Sequence, residues 1–195
     1  METNTTAAPG DATASPARSS RGAAHTPAGA GDGQVAVRRL DDLLGVPAAA
    51  LLELYRGARV PRIGDVEGDL RGRMLAVLRL PGPVAAAVAA FAASSRFPWR
   101  GKSFRPLGDT RGEGINRVVS DRIRLYRFET SLGPSRAGDF DALQLDYDLP
   151  QNPFFIRPIK DEIRELGPGL WLGQAHLKTS SSTHLVLYFG LERRR

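Results

Sequence analysis

The chain has 195 residues, no cysteine and a formal charge of +6, with 27 basic residues against 21 acidic ones. Its length suits one domain of ordinary size plus a tail, and the lack of cysteine excludes disulfides, a cysteine nucleophile and thiolate-bound metals. All but three of the basic residues are arginines, and most alternate with acidic residues. A basic stripe interleaved with aromatic residues indicates specific nucleic-acid binding. The sequence has no such stripe, so we predict no specific nucleic-acid binding.

The apolar runs of the sequence are short. The longest, around Val84 to Ala93, falls well below the roughly 20 residues that cross a bilayer. The N-terminal residues lack the basic-then-apolar layout of a signal peptide. We therefore predict no transmembrane segment and a soluble, cytoplasmic protein, whose oligomeric state the sequence does not indicate.

The first 34 residues consist mainly of Thr, Ala, Ser, Pro and Gly. With no aromatic and no large aliphatic side chain they cannot offset the entropy of ordering, so we predict a disordered tail over 1–34. Residues 35–60 then show helical spacing, with Pro47 at the first turn of a second short helix and Gly57 at its end. We predict that these two N-terminal helices pack on a β-domain over 61–195.

That domain opens with a strand, Leu70 to Leu80, followed by Pro81-Gly82-Pro83 and an alanine-rich helix, Val84 to Ala93. Clusters of Gly, Pro, Asp and Ser then separate six further predicted strands. These are Trp99 to Leu107, Gly114 to Ser120, Arg122 to Thr130, Asp141 to Asp148, Leu170 to Lys178 and His184 to Glu192.

The segment Ile156 to Leu166 is ambiguous. Pro158 near its start, Gly167 beyond its end and isoleucines at helical spacing favour a helix. As a strand it would carry charged residues on both faces, yet it would supply the eighth strand of the domain. The residue pattern by itself favours a helix. The family resemblance described next favours a strand, so with both considered the two are equally favoured.

Several short motifs, taken in chain order, resemble one family. They are Gly68-Asp69-Leu70-Arg71-Gly72, Trp99 to Phe104, Tyr147-Asp148, Pro158 to Arg164, Leu172-Gly173 and Tyr188 to Arg193. They resemble the small bacterial GXWXG-type proteins of unknown function, although Leu70 stands where that motif has tryptophan. Those proteins are similar to the calycin group of barrels, which includes lipocalins, fatty-acid-binding proteins and nitrobindins.

The resemblance implies a mainly β fold. We expect a calycin-like antiparallel barrel of about eight strands with an internal cavity, short N-terminal helices and a helix between the first two strands. The resemblance assigns no catalytic residue and no cofactor to this chain. Haem, the cofactor of nitrobindins, is not favoured because the chain does not show the remaining sequence pattern of that family.

A barrel of this size holds side chains or one small ligand. Such sites are mostly apolar with a few placed polar groups, so we predict a small hydrophobic or amphipathic ligand, such as a fatty acyl chain or a secondary metabolite. The candidate ligand-binding residues are Trp99, Asn116, Tyr126, Tyr147, Asp161, Arg164, Trp171, His176 and Tyr188. The two tryptophans are also typical of core positions, and a buried tyrosine commonly bonds to backbone.

Carboxylates suggest an alternative, an enzyme that performs isomerase, cyclase or lyase chemistry on an apolar substrate. Asp146 and Asp148 flank Tyr147, and Tyr147, Asp146 or Glu162 would act as acid or base. The chain contains none of the catalytic or phosphate-binding motifs with a known mechanism, so the catalytic residues stay unassigned. A third hypothesis is a structural barrel with a filled interior.

Two further polar groups lie in the predicted closing strands. Asp161, Glu162 and Arg164 would form an ion-pair cluster with a neighbouring basic residue, which positions a polar ligand if buried and is a solvated face if exposed. His176 and His184 fall near cross-strand register on the last two strands. A histidine pair without a third ligand is weak support for a metal, so we predict none.

Overall fold

Eight antiparallel strands form a closed barrel in a computed structural model of the chain, which describes residues 37–78 and 99–194. The strands are β1 Gly68–Val77, β2 Trp99–Pro106, β3 Arg111–Val118, β4 Arg124–Pro134, β5 Asp141–Asp146, β6 Ile159–Gly167, β7 Leu170–Lys178 and β8 Thr183–Arg193. Each strand pairs with its neighbours in sequence, and β8 returns to pair with β1. The predicted mainly β fold, an antiparallel barrel of about eight strands, is confirmed.

Three short helical segments precede the barrel. They are a 3₁₀ turn at Leu40–Leu43, the helix α1 at Ala48–Gly57 and a second 3₁₀ turn at Ile63–Asp65. The helix follows Pro47 and ends at Gly57, as the sequence predicts. The first predicted helix is a single 3₁₀ turn, because Leu44 after it has an extended backbone and Gly45 a left-handed one (φ 76°).

The N-terminal segment covers the outer face of β7 and β8. Leu40, Leu43, Leu51 and Tyr55 pack there against Leu170, Leu172 and Tyr188. Burying an apolar side chain of this size contributes about 2 kcal/mol. Eight of the nine residues of β7 are buried, because the inner face meets the barrel core and the outer face meets this segment.

Strand β6 is the segment whose sequence fits a helix and a strand equally well. It pairs with β7 along its length and with β5 over residues 160–163, so the strand alternative is correct. Its pattern is poor for a strand because charged side chains occur on both faces. Both faces are nevertheless buried: Asp161 points into the barrel, and Glu162 lies beneath α1.

Apolar side chains fill the barrel near the start of β1. One buried cluster occupies this end and includes Leu70, Phe104, Phe128, Ile163 and Trp171. Ile63 and Val66, which precede β1, belong to the same cluster. Glycines make room for two of the rings that lie in the barrel: a Cβ on Gly114 would collide with Phe128, and one on Gly173 would collide with Phe189. The interior is therefore closed at this end.

Two predictions, the tail over 1–34 and the helix from Val84 to Ala93, lie outside the described residues. Within the described ranges, no helix is long and apolar enough to cross a bilayer.

Candidate functional site

A cavity of about 130 Å³ lies inside the barrel at the opposite end, where β1 ends and β2 begins. Most of its wall is apolar, formed by Met74, Ile156, Ile159, Ala175, Val186, Leu187 and Phe189. Ordinary pockets for drug-sized ligands measure about 300 Å³ or more. The cavity is closer in size to an apolar cavity of about 150 Å³ that binds benzene.

Lys102 is the centre of the polar side of this cavity. Its ammonium donates to Asn116 Oδ1 at 2.9 Å, to the Tyr147 hydroxyl at 2.5 Å and to Asp161 Oδ2 at 2.9 Å. The same nitrogen lies 5.1–5.4 Å from the ring centroids of Trp99, Phe128, Tyr147 and Phe189. The nitrogen lies at the hydroxyl edge of Tyr147, near the plane of that ring. Ring faces attract a cation, so three oxygens and the rings of Trp99, Phe128 and Phe189 together stabilise the buried charge.

Tyr147 and Asn116 connect the other members of the cluster. The Tyr147 hydroxyl donates to Asp161 Oδ2 at 3.0 Å and accepts from Asn116 Nδ2 at 3.1 Å. Asn116 Nδ2 also donates to the Tyr126 carbonyl at 3.1 Å, and Asn116 Oδ1 accepts from Trp99 Nε1 at 3.0 Å. Side chains from four parts of the barrel thus form one continuous hydrogen-bond network.

Burial determines the protonation chemistry of this network. It lowers the pKa of the Lys102 ammonium, and the adjacent Asp161 carboxylate opposes that effect. Burial, together with the negative charge of Asp161, raises the pKa of Tyr147 well above its ordinary value. The phenol therefore keeps its proton and donates it to Asp161.

Asp161 has one oxygen that the network does not use. Oδ1 is buried and has no hydrogen-bond partner among the described residues, whereas Oδ2 accepts from both Lys102 and Tyr147. A buried acceptor without a partner costs free energy, so it marks a position that favours a donor.

Two β-bulges aim side chains into the cavity. One lies between Trp99 and Gly101 and places Trp99 and Lys102 on the same inner face, although they are three residues apart. The other makes Tyr126 the extra residue of β4, with a left-handed backbone at φ 60°. The bond from Asn116 to the Tyr126 carbonyl holds this conformation.

The structure brings together five of the nine residues that the sequence indicates for ligand binding. Trp99, Asn116, Tyr126, Tyr147 and Asp161 line the cavity. Their role in binding stays a prediction.

The other four lie elsewhere. Trp171 belongs to the filled part of the core, and Arg164, His176 and Tyr188 lie on the outer side of the barrel wall. Arg164 donates through Nε to the Ala58 carbonyl at 3.0 Å and through Nη1 to the Asp141 carbonyl at 2.8 Å.

Asp161, Glu162 and Arg164 do not form one ion-pair cluster. Asp161 faces the interior, whereas Glu162 and Arg164 both lie on the outer side and have separate partners. Glu162 is fully buried on the outer side, where it accepts from Tyr55 OH at 3.0 Å and Ser135 Oγ at 2.7 Å. Arg136 completes its shell with a backbone N–H and a guanidinium, each at 3.0 Å from Oε2. Glu162 therefore joins α1 and the β4–β5 turn to the barrel.

The carboxylates beside Tyr147 also lie outside the cavity. Asp146 pairs with Lys160 and Asp148 with Arg157 on the surface. Of the three side chains considered as acid or base, only Tyr147 reaches the cavity.

Lys102 is the central residue that sequence reasoning missed. It is one of three lysines in a chain rich in arginine, and it stands between Trp99 and Phe104 on a strand. If side chains alternated strictly from Trp99, Lys102 would lie on the outer face. The bulge places it on the inner face, which the sequence does not show. Its rarity was the one available signal.

A larger cleft of about 1230 Å³ lies on the outer surface at the filled end of the barrel. Arginines dominate its wall, but several are neutralised by carboxylates: Arg62 pairs with Asp65 at 2.9 Å, and Arg71 with Asp41 at 2.8 Å. By volume alone, this cleft would be the candidate binding site. The internal cavity is the better candidate site because its polar groups are buried and converge.

Across residues 37–78 and 99–194, no group of three or more His, Asp or Glu side chains is arranged to hold a metal ion. No protein-family model matches the chain, and no curated protein matches it. Among solved structures, the chain is similar to a crystal structure of a protein from Thermomonospora curvata, with 19% sequence identity and a TM-score of 0.48. The similarity covers 80% of this chain and 93% of that one.

Proposed function

We propose that the protein binds a small amphipathic molecule inside the barrel. The observation that carries this proposal is the composition of the cavity, in which an apolar wall faces one buried cluster of four polar side chains. Apolar walls supply affinity, and a few converging polar groups fix orientation. The polar end of the ligand would face the cluster formed by Lys102, Asn116, Tyr147 and Asp161.

The resemblance of the motifs to calycin-like proteins supports the same function, since those barrels hold ligands in the interior. The size of the cavity narrows the choice. About 130 Å³ is comparable to a cavity that holds one benzene ring, which favours a compact ligand over a long fatty acyl chain.

The first experiment recovers the protein from its native host, denatures it and examines the extract by mass spectrometry. A single co-purifying small molecule in roughly stoichiometric amount is expected. In parallel, a library of one-ring amphipathic compounds is screened by the rise in melting temperature, because a ligand that binds only the folded state stabilises it. An empty barrel with no stabilising compound contradicts the proposal.

A matched pair of variants locates the binding site. Ala175 lines the cavity, so Ala175→Leu fills part of it and should abolish the shift in melting temperature. Ala50→Leu makes the same change on the exposed face of α1 and should preserve it. Equal shifts in the two variants would place binding outside the cavity.

Acid–base catalysis on the bound molecule is a second candidate, favoured by one observation: the Tyr147 hydroxyl and the Asp161 carboxylate share a hydrogen bond inside the cavity. Such a pair can move a proton to and from a substrate carbon. Incubation of a hit compound in D₂O with detection of deuterium incorporation tests it. Binding without exchange supports the simple binding protein.

A further inference from the structure

The hydrogen-bond donors of the polar cluster are all engaged. An ammonium has three donors, and Lys102 directs them to Asn116, Tyr147 and Asp161. The Tyr147 hydroxyl donates its proton to Asp161. Both Asn116 amide protons are used, by Tyr147 and by the Tyr126 carbonyl. None of these three side chains has a donor left for a ligand.

The acceptors differ. Tyr147 OH accepts two bonds, and Asn116 Oδ1 also accepts two, from Lys102 and from Trp99. Asp161 Oδ1 is the buried acceptor of the cluster that has no partner within the described part of the chain. Asp161 is 4% exposed and lines the cavity. The unsatisfied position of the cluster is therefore an acceptor on a residue that lines the cavity, which calls for a donor on the ligand.

The charges of the cluster balance as well. The Lys102 ammonium and the Asp161 carboxylate, 2.9 Å apart, neutralise each other within the apolar interior. A charged ligand would add an uncompensated charge to a buried site, which is strongly unfavourable. An anion would also be repelled by the negative charge of the Asp161 carboxylate. A neutral ligand avoids both costs.

From these observations we infer the chemical class of the ligand that the proposed binding function requires. It is a small, neutral alcohol or phenol whose hydroxyl donates a hydrogen bond to Asp161 Oδ1, with an apolar body against Phe189, Leu187 and Ala175. Carboxylates, including fatty acids, are excluded. This inference rests on the proposed function and adds the polarity of the ligand to it.

Three one-ring probes test the inference on the unmodified full-length chain. Anisole and p-cresol are isomers that differ in the presence of an O–H group, and benzoate carries a negative charge. Their dissociation constants are measured by ligand-observed NMR or titration calorimetry. Because a hydrogen bond to a charged acceptor is lost with anisole, p-cresol should bind about 10- to 100-fold more tightly. Benzoate should not bind detectably.

Asp161→Asn provides the reciprocal test. It removes the carboxylate and leaves the Lys102 charge without its counter-ion, so the preference for p-cresol over anisole should fall at least tenfold and benzoate should gain affinity. Asp146→Asn is the matched control, because it removes a carboxylate on the outer surface. The order of the three probes should not change in it. The probe series on the wild-type protein decides the inference even where Asp161→Asn does not fold.

The outcomes separate this inference from the function on which it rests. If anisole or benzoate binds the wild-type protein as tightly as p-cresol, the inference that the ligand is a neutral hydrogen-bond donor is wrong, while the proposed ligand binding stands. If no probe binds and no other one-ring compound raises the melting temperature, both proposals fail. Tight binding of p-cresol that Ala175→Leu does not weaken would place the phenol outside the cavity, and this too overturns the inference.

Discussion

The Lys102 ammonium lies 2.9 Å from the Asp161 carboxylate, and both side chains are at most 5% exposed. Each charge offsets much of the cost of burying the other in the barrel interior. The pair therefore couples stability to the site, and its members cannot be changed independently.

Lys102→Met tests that coupling. The variant leaves a buried carboxylate without a counter-ion, which should lower the free energy of unfolding by about 3–5 kcal/mol. Adding Asp161→Leu should recover much of this loss, because no buried charge remains. Chemical denaturation of the four members of the double-mutant cycle measures both effects. Lys160→Met, which breaks an ion pair with the exposed Asp146, should change little; equal losses at Lys160 and Lys102 would contradict the argument.

Tyr55→Phe tests the attachment of α1. It removes the hydroxyl that donates to the buried Glu162 at 3.0 Å, while the donors from Ser135 and Arg136 remain. The expected loss is about 1–2 kcal/mol in the free energy of unfolding, measured in urea. Tyr188→Phe is the matched control. It removes a neutral hydroxyl that accepts from Gln174 Nε2 at 3.4 Å, so its loss should be smaller.

His176 should give the protein a specific sensitivity to mild acid. Burial lowers the pKa of this imidazole, and the nearby Glu162 carboxylate only partly opposes the effect. Below about pH 6.5 the unfolded chain therefore binds a proton that the folded chain does not, and the free energy of unfolding falls. Carboxylates contribute mainly below about pH 5, so the interval from pH 7 to 5 isolates the histidine.

Urea denaturation across that interval should show a smaller pH slope for His176→Gln than for the wild-type protein. His184→Gln, on the neighbouring strand, is the control for replacing a histidine. An equal reduction of the slope in both variants would contradict the assignment to His176. A wild-type slope in His176→Gln would mean that the buried imidazole is not responsible.

Gly173→Ala should destabilise the barrel by about 1–3 kcal/mol, because the new methyl group collides with the Phe189 ring. Phe189 also lines the cavity, so ligand affinity should fall too. At Gly133 the same methyl group would lie 3.6 Å from Gln144 Cγ, an ordinary contact. Gly133→Ala should therefore be tolerated, and comparison of the two melting temperatures checks the packing argument.

Val119→Gly should stabilise the protein. Val119 is 51% exposed and has a left-handed backbone with φ 64°. A β-branched residue pays about 1–2 kcal/mol for this conformation, and glycine adopts it freely. Part of that free energy should be recovered as a higher melting temperature. Ile123→Gly, at an exposed residue of the same loop, lacks the strain and should lower it.

The sequence alone predicts most of the strands because the signals for strands and turns are local, whereas their arrangement as a barrel was expected from the resemblance of short motifs to a family. The strand predicted at Trp99 to Leu107 matches β2 within one residue, and that predicted at Leu170 to Lys178 matches β7. Strand β6 was ambiguous for a physical reason. Its charged residues are buried by partners distant in sequence, Lys102 and Tyr55, which no local window contains.

The candidate site was predicted less completely than the fold. Aromatic and amide side chains such as Trp99 and Asn116 were identified from residue type, but a side chain's face depends on the bulges that interrupt alternation. The shift at β2 turned Lys102 inward. In β6 the alternation holds, yet only the pairing of the strand reveals that Asp161 faces the cavity and Arg164 the outer wall.

Strand β8 has a further consequence for how the molecule assembles. It pairs with β7 on one side and with β1 on the other, and it is the last of the eight strands in chain order. While the chain is being synthesised, β1 and β7 thus keep unpaired edges until β8 has left the ribosome. Those edges are open to pairing with other chains in that interval. Ring closure therefore waits for β8, and the cavity with its Phe189 wall comes into existence only at that step.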